Sequence, residues 1–458
     1  MKVQVERLRQ ALKLLQPAVP RKTSLPITTH VKLGEGRAVA TDLEVAVTVS
    51  GVGESAAGDG VLSLSNEAMC LPYKVLGELL ASMPGYETAT IALEGKMATI
   101  AAGQTQVSLT ALPAADFPPV ADFTPAHDTA VDGDALVRAL SGVLPYVAKD
   151  SSRPVLTAVC LTLGDRPEVC GADGFRLAWQ PAPKLPGEGN LLVPARAVTV
   201  LEHLWRHAPK PPQLEGVTDV VQLAIAKRLV RVEYSLDQPK PTYLLRLSFG
   251  EVSLVIRLVE GTFPNYHELI PKHTPSVAFN GADLMLAVRR VAPVARDGSG
   301  IIRLSWGDDQ LQVKATAEDV GATSTTISAR CQREGMIAFN LRYLLEYLEG
   351  KDGMVTLATD GPSAPALLSY RGVPHVVLMP MFVQPDETAE AATPSATAEV
   401  SPKEEEVAQE PGPSEEEDAP GEPEPAEEEL NPVEDQPPVP EPAVASAAGK
   451  SRSRHKKQ

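Results

Sequence analysis

Cysteine is scarce in this chain, and its few copies lie apart. Cys70, Cys160, Cys170 and Cys331 show no CxxC pair and no Cys/His spacing suited to a metal, which leaves no basis for a zinc site or a disulfide scaffold. A reduced, cytoplasmic setting is expected. Long apolar runs are missing too. None approaches the roughly 18 residues of a membrane helix, and Met1-Lys2-Val3 leads into amphipathic sequence without a hydrophobic leader. Catalytic constellations are equally absent. Asp132-Gly133-Asp134 begins like a calcium loop but lacks the other ligands and the closing glutamate, and reads better as a turn and N-cap. Asp297-Gly298-Ser299-Gly300 lacks the Gly-Lys-Ser/Thr of a phosphate loop. Eight scattered histidines form no HExxH, and no nucleophile elbow is found. No enzyme activity, cofactor or metal is expected.

The net charge of −17 is unevenly spread. From Gln384 to the end there are 20 acidic and 6 basic residues, leaving 39 and 36 in residues 1–383. The body is therefore nearly neutral, and any nucleic-acid contact must come from the placement of its cations. Residues 384–458 are rich in Pro, Glu, Ala and Ser, have no Phe, Trp or Tyr, and end in a basic tip at 450–457. Such a segment buries too little apolar surface to offset its chain entropy and is expected to be disordered.

What the body does contain is a repeat. In residues 8–19, LRQALKLLQPAV, Leu8, Ala11, Leu12 and Leu15 make an amphipathic stripe closed by Pro17. The same pattern returns 128 residues on, as Leu136, Ala139, Leu140, Val143 and Pro145, and 276 on, as Leu284, Ala287, Val288, Val291 and Pro293. A second helical segment repeats on its own offsets: 71–76, 193–198 and 339–344. It carries a cation at one position each time, Lys74, Arg196 and Arg342, with a proline two residues earlier in the first two copies and Asn340 in the third. The prolines suit a first helical turn and the asparagine an N-cap. Phe117-Pro118 is echoed by Phe263-Pro264. Three copies in register imply three related domains, placed at residues 1–126, 127–272 and 273–383.

Between the helices, residues 38–49 alternate at period two as half-buried strands do. Further strands are expected at 90–93, 97–102, 106–112, 155–163, 168–170, 176–179, 220–226, 231–234, 252–258, 301–306, 310–317, 322–329, 355–358 and 366–370, with an apolar exit at 376–383. Residues 208–213 and 237–242, rich in Pro and Lys, read as surface insertions. The fold class is α+β.

Cations recur on every helical segment. The first helix has Arg9 and Lys13; its later copies carry Arg138, and Arg289 with Arg290 and then Arg296. Lys74, Arg196 and Arg342 complete the set, and Lys22, Lys149 and Arg153 lie in the loops after the first helix and its second copy. Singly, each is an ordinary solvated charge. Repeated in three units, they suggest one cationic surface suited to a phosphate backbone, without a base-specific code.

At this point several motifs converge. Arg7-Leu8-Arg9-Gln10-Ala11-Leu12, Leu25-Pro26-Ile27, Ala40-Thr41-Asp42-Leu43-Glu44, Leu112-Pro113-Ala114-Ala115-Asp116-Phe117-Pro118, Ala172-Asp173-Gly174-Phe175-Arg176-Leu177-Ala178, Phe263-Pro264-Asn265-Tyr266 and Leu378-Met379-Pro380-Met381 occur in order along residues 1–383. They resemble the bacterial DNA polymerase III beta subunit family, the sliding clamps; the tail from Gln384 lies outside the resemblance. The resemblance implies three clamp domains, each with two helices backed by antiparallel sheet, and two chains closing head to tail into a ring around duplex DNA. It implies a homodimer, joined through Val107 and Leu109 of one unit and the region of Pro293 and Val294 of another. It also implies a pocket for short peptides of the polymerase alpha subunit, the clamp loader and other proteins, formed by Leu156, Ala172, Gly174, Phe175, Arg176, Leu177, Pro264, Leu269, Tyr343, Val377, Leu378, Met379, Pro380 and Met381. Phe175 stands where histidine is common, Glu268 where arginine occurs and Ser299 where an aromatic occurs, departures that bear on the peptide preference more than on the pocket itself. A cytoplasmic, nucleoid-associated processivity factor is implied. Two other classes are compatible with the residues alone: a protein-binding scaffold with solvated cations, and a hydrolase assembled from distant residues.

Overall fold

The computed structural model describes residues 1–53, 68–210, 228–236, 242–272, 274–372 and 374–382. The expected disordered tail, the strand at 220–226 and most of the two insertions lie outside these residues. Six α-helices occur among the described residues: α1 (Val5–Leu15), α2 (Tyr73–Ser82), α3 (Gly133–Val143), α4 (Ala195–His207), α5 (Gly281–Asp297) and α6 (Leu341–Leu348). They fall into three successive sets, each running strand, helix, four strands, helix, strands. The stripe residues of α1, α3 and α5 are all at most 4% exposed, as an apolar i, i+3, i+4, i+7 face requires.

The closing prolines behave in two ways. Pro17 and Pro145 lie in short 3-10 turns, Gln16–Ala18 and Leu144–Tyr146, that end their helices. Pro293 instead lies inside α5, which continues to Asp297. Its missing N–H costs one helical bond, but its ring faces solvent while Val291, Ala292 and Ala295 stay buried. Packing of the following turn carries the helix on, and Gly298 and Gly300 close it by donating to the Val294 and Ala295 carbonyls. At the second helices, Pro72 and Pro194 end strands and occupy the N-cap position rather than the first turn. Asn340 caps α6 by accepting from the Arg342 N–H at 2.9 Å, and Asp132 caps α3 by accepting from Ala135 at 3.1 Å.

The alternating run at 38–49 is a hairpin, Arg37–Thr41 and Val45–Ser50, turning at Leu43 with φ 79°. The strands Met97–Ala102, Gln310–Ala317 and Ala366–Tyr370 keep their expected limits. The 155–163 segment begins as a 3-10 turn and becomes a strand only at Ala158–Thr162. Eight strands went unread, among them His30–Gly34, Met69–Pro72 and Leu244–Phe249.

The strands form sheets of four, nine and twelve, all antiparallel. The two larger sheets cross between sets. Val252–Arg257, the last strand of the second set, pairs with Val45–Ser50 of the first, from Val252↔Val49 to Ile256↔Val45. His375–Leu378, the last strand of the third set, pairs with Arg176–Pro181 of the second. The equivalent strand of the first set, Thr105–Thr110, third after the second helix, ends the four-stranded sheet with one neighbour only. In the third set, Gly321–Cys331 pairs with Gln310–Ala317, while only its residues 329–331 have a neighbour on the other side, Val277–Asn280. Other strands also end the three sheets, but these two lack the neighbour that their counterparts find at the joints between sets.

Burial holds His30, His203 and His375 below the ordinary histidine pKa. The unfolded chain, with histidines near 6.5, then takes up protons first as pH falls. Stability should be complete above about pH 6.5 and decline from there towards pH 5. Denaturant midpoints at pH 7.5 and 5.5 check this; equal midpoints would contradict it.

Candidate functional site

Buried apolar residues gather where the last strand of the third set joins the second, with the exposed Phe175 and Leu269 in the same region, and this is the candidate peptide cleft. Asp173 builds its rim: its Oδ1 accepts from the N–H groups of Phe175 at 3.0 Å and Arg176 at 2.9 Å. Gly174 supplies the φ of 90° this turn requires. The turn lifts Phe175 into solvent, 59% exposed, with its ring stacked 6.2 Å from that of Tyr343 on α6. Past Leu378 the chain stays tethered, as the Met379 N–H donates to the Phe175 carbonyl and the Met381 N–H to the Ala338 carbonyl, both at 2.8 Å. Leu269, on the short turn His267–Leu269, is 42% exposed. Pro264 is exposed beside Phe263, which is buried.

The floor is one cluster holding Leu156, Leu177 and Val377 with Cys160, Cys170, Phe263 and Tyr266, against which Ala172 packs. Cys160 and Cys170 face each other across adjacent strands, and burial pushes the Cys160 thiol up to about 12, so both are packing residues here. Strand alternation sorts the residues named for the pocket. Leu177 and Val377 are paired and belong to the cleft cluster. Arg176 and Leu378 are the next pair along. Leu378 packs into the main core instead, and paired residues share a face of the sheet. Arg176 and Leu378 therefore stand behind the cleft rather than in it.

Behind the cleft Arg176, 4% exposed, is held on every side. Its Nε donates to Asp173 at 2.9 Å, its Nη1 to Glu346 of α6 at 2.5 Å and its Nη2 to the Pro145 carbonyl at 3.2 Å. The Tyr343 and Tyr146 rings lie 4.6 and 5.3 Å from its carbon. Burial opposes its charge, but the Asp173 and Glu346 carboxylates outweigh it and raise its pKa. Sequence reading missed Glu346 and Tyr146; the i, i+4 spacing of Glu346 from Arg342 on α6 was the available signal.

The cations divide by what they touch. Arg9 is turned onto the end of α2, donating to the carbonyls of Leu80 at 2.8 Å and of Met83. Arg196 donates to Asp42 at 2.9 Å and to the Pro17 carbonyl. Lys74 pairs with Glu78 at 4.0 Å and Arg342 with Glu346 at 3.5 Å, each on an exposed helix face. Lys13, Lys22, Arg138, Lys149, Arg153, Arg289 and Arg290 are exposed and enter no ion pair among the described residues. Of the cations named above for DNA contact on the helices and their loops, these seven are free to meet a polyanion, as is the exposed Arg296. A cavity of about 910 Å³, lined by Leu144, Tyr146, Lys149, Arg196, Glu346 and Lys351, borders the floor cluster of the cleft at Ala148 and Val259. Val107 and Leu109 are half-buried on the open edge strand, while Pro293 is exposed and Val294 half-buried late in α5. Among the described residues no group of three or more His, Cys, Asp or Glu could hold a metal, and no helix is long and apolar enough to cross a membrane.

Residues 267–381 match the family described as DNA polymerase III beta subunit, C-terminal domain. The beta sliding clamp of Synechococcus elongatus is 26% identical over 389 residues, spanning 82% of this chain and 97% of that protein. That of Staphylococcus epidermidis is 23% identical over 365 residues, spanning 76% and 88%. Among solved structures, the DNA polymerase III subunit beta of Pseudomonas aeruginosa superposes with a TM-score of 0.70 at 23% identity, covering 84% of this chain and all of that one. The sliding clamp of Bacillus subtilis gives 0.69 at 18%, covering 84% and 99%.

Proposed function

We propose that this relative of the bacterial DNA polymerase III beta subunit is a DNA sliding clamp, a non-enzymatic ring that tethers replication and repair proteins to duplex DNA. The observation carrying this reading is the pair of open strand edges. At both joints within the chain, the last strand of one set completes the sheet of the set before it. Val107 and Leu109 stand 146 residues before Ser253 and Val255, which pair with Thr48 and Ala46. Their strand lacks that partner, and Gly321–Cys331, the counterpart of Val45–Ser50, lacks the complementary one. Two copies placed head to tail satisfy both edges twice and leave no open strand at either joint. Pro293 and Val294 correspond to Pro17 and Ala18, whose turn packs on α4, so in the dimer they would meet α2 of the other copy.

Residues 1–126, 127–272 and 273–383 are then three clamp domains. Their free cations, Lys13, Lys22, Arg138, Lys149, Arg153, Arg289 and Arg290, supply a loosely attractive surface to DNA of any sequence, which permits sliding. Arg9, Arg196 and Arg342, already engaged, contribute mainly long-range potential. The cleft, with Phe175, Leu269, Tyr343, Met379, Pro380 and Met381 at its rim, receives peptides of the polymerase, the clamp loader and other partners; methionines let such a surface repack around several ligands. Processivity follows from topology, so no catalytic group is needed, and a place on the nucleoid follows from encircling DNA.

The electrostatic part is testable alone. Each of Lys22→Ala and Lys149→Ala should lower the slope of log affinity against log salt by about 1 without sequence preference. Unchanged slopes in both variants would remove these lysines from the DNA surface.

A further inference from the structure

Both joints within the chain are latched at one spot. At the first, Arg196 from the start of α4 donates to Asp42, in the hairpin turn, and to the carbonyl of Pro17, at the end of α1. At the second, Arg176 donates to Asp173, the equivalent turn residue, and to the carbonyl of Pro145, the equivalent proline, while reaching Glu346 on α6. The two arginines come from different elements of the repeat: Arg196 belongs to the second helix of its set, Arg176 to the strand after the turn. They nevertheless put a guanidinium in the same place, between a turn carboxylate and a helix-ending carbonyl, and tie it to the second helix of the following set.

The third set offers the same acidic turn, Glu318-Asp319, between Gln310–Ala317 and Gly321–Cys331. Both acids are exposed and neither enters an ion pair among the described residues. No arginine follows this turn as Arg176 follows Asp173; the position three after Asp319 is Ala322. The helix that would dock there is α2, the counterpart of α4 and α6. At the position of Arg196 it carries Lys74, and at the position of Glu346 it carries Glu78. Their side chains are 87% and 70% exposed and satisfy each other only weakly, at 4.0 Å.

We infer that Lys74 is a joint residue rather than a DNA contact: in the ring it leaves Glu78 and latches onto the Glu318-Asp319 turn of the other copy, as the weakest of the three latches. The inference rests on the ring reading above. Lysine is the weaker choice on physical grounds. A guanidinium offers a planar fork that satisfies a carboxylate and a carbonyl at once, whereas an ammonium is a compact, strongly hydrated point charge on a flexible stem. The carbonyl side is weaker too. α5 continues through Pro293 to Asp297, so the Pro293 carbonyl is not left free at a helix end as its two counterparts are. Rings latched twice by arginine within each chain and once by lysine between chains would part at the joint between copies.

Subunit exchange of the purified full chain, read by fluorescence transfer between differently labelled copies, tests this. Lys74→Glu should speed exchange about tenfold or more, and Lys74→Arg should slow it several-fold. The triple change Lys74→Glu, Glu318→Lys, Asp319→Lys should restore most of the loss, which a general packing defect would not allow. Dimers whose exchange is unaffected by Lys74→Glu, or not rescued by the triple change, would overturn the latch and leave the ring standing. A wild-type protein that is monomeric at all concentrations would overturn the ring reading itself.

Discussion

Arg176→Ala should destabilise the protein by about 3 kcal/mol or more, the range for removing one partner of a buried, hydrogen-bonded ion pair. Three groups lose their donor together: the Asp173 carboxylate, the Glu346 carboxylate and the Pro145 carbonyl. Two aromatic faces, Tyr146 and Tyr343, lose the cation between them. The effect should concentrate at the joint between the second and third sets, since Glu346 is the one carboxylate in the group contributed by α6. Arg176→Lys should recover only part of the loss, because one ammonium cannot satisfy three acceptors in fixed directions. Denaturant midpoints of the two variants check this. A loss under about 1 kcal/mol for the alanine variant would mean that water replaces the guanidinium at little cost.

The cleft carries the other large effect. The double variant Phe175→Ala, Leu269→Ala removes two exposed apolar anchors while leaving the buried floor intact. A well-packed aromatic or aliphatic anchor contributes about 1–2 kcal/mol or more to binding, so the pair should weaken a polymerase-derived clamp-binding peptide by about 30-fold to 1,000-fold. Both side chains are substantially exposed, 59% and 42%, so folding should survive, and fluorescence anisotropy with labelled peptide reads the change directly. An unchanged dissociation constant would place the partner site elsewhere. Cys160→Ser acts on the floor instead: it buries a hydroxyl among apolar neighbours and should disturb stability more than peptide contact.

Much of the architecture was legible because it is written three times. One amphipathic stripe is weak testimony, but Leu8, Leu136 and Leu284 in register turn a helix into a repeat. The strands were less legible. Where alternation was clean and bounded by turn residues, as at Gln310–Ala317, limits came out right. Strands of four or five residues, such as His30–Gly34 and Met69–Pro72, carry too few periods to show a pattern. The helix through Pro293 escaped because local stiffness argued for a stop while burial of Ala295 argued for another turn, and burial is a tertiary fact.

The site was half legible for a related reason. Motifs named Phe175, Leu177, Val377 and Met379 together with Arg176 and Leu378, but which side of the sheet each residue faces depends on register, and register sets Arg176 and Leu378 behind the candidate cleft. Counting cations likewise found the charges without finding their partners. Arg9 ends on the carbonyls of α2 and Arg196 on a turn of the preceding set, contacts between residues 71 and 154 positions apart that no local pattern encodes.

The most direct test of the ring is retention on DNA of two topologies. With a clamp loader and ATP, labelled protein is loaded onto nicked circular duplex, freed of unbound chains on a sizing column, and followed before and after the circle is cut once. A ring should remain on the circle and run off the linear form, at salt where simple electrostatic binding is lost. Equal retention on both forms would contradict topological linkage and leave only surface attraction between this protein and DNA.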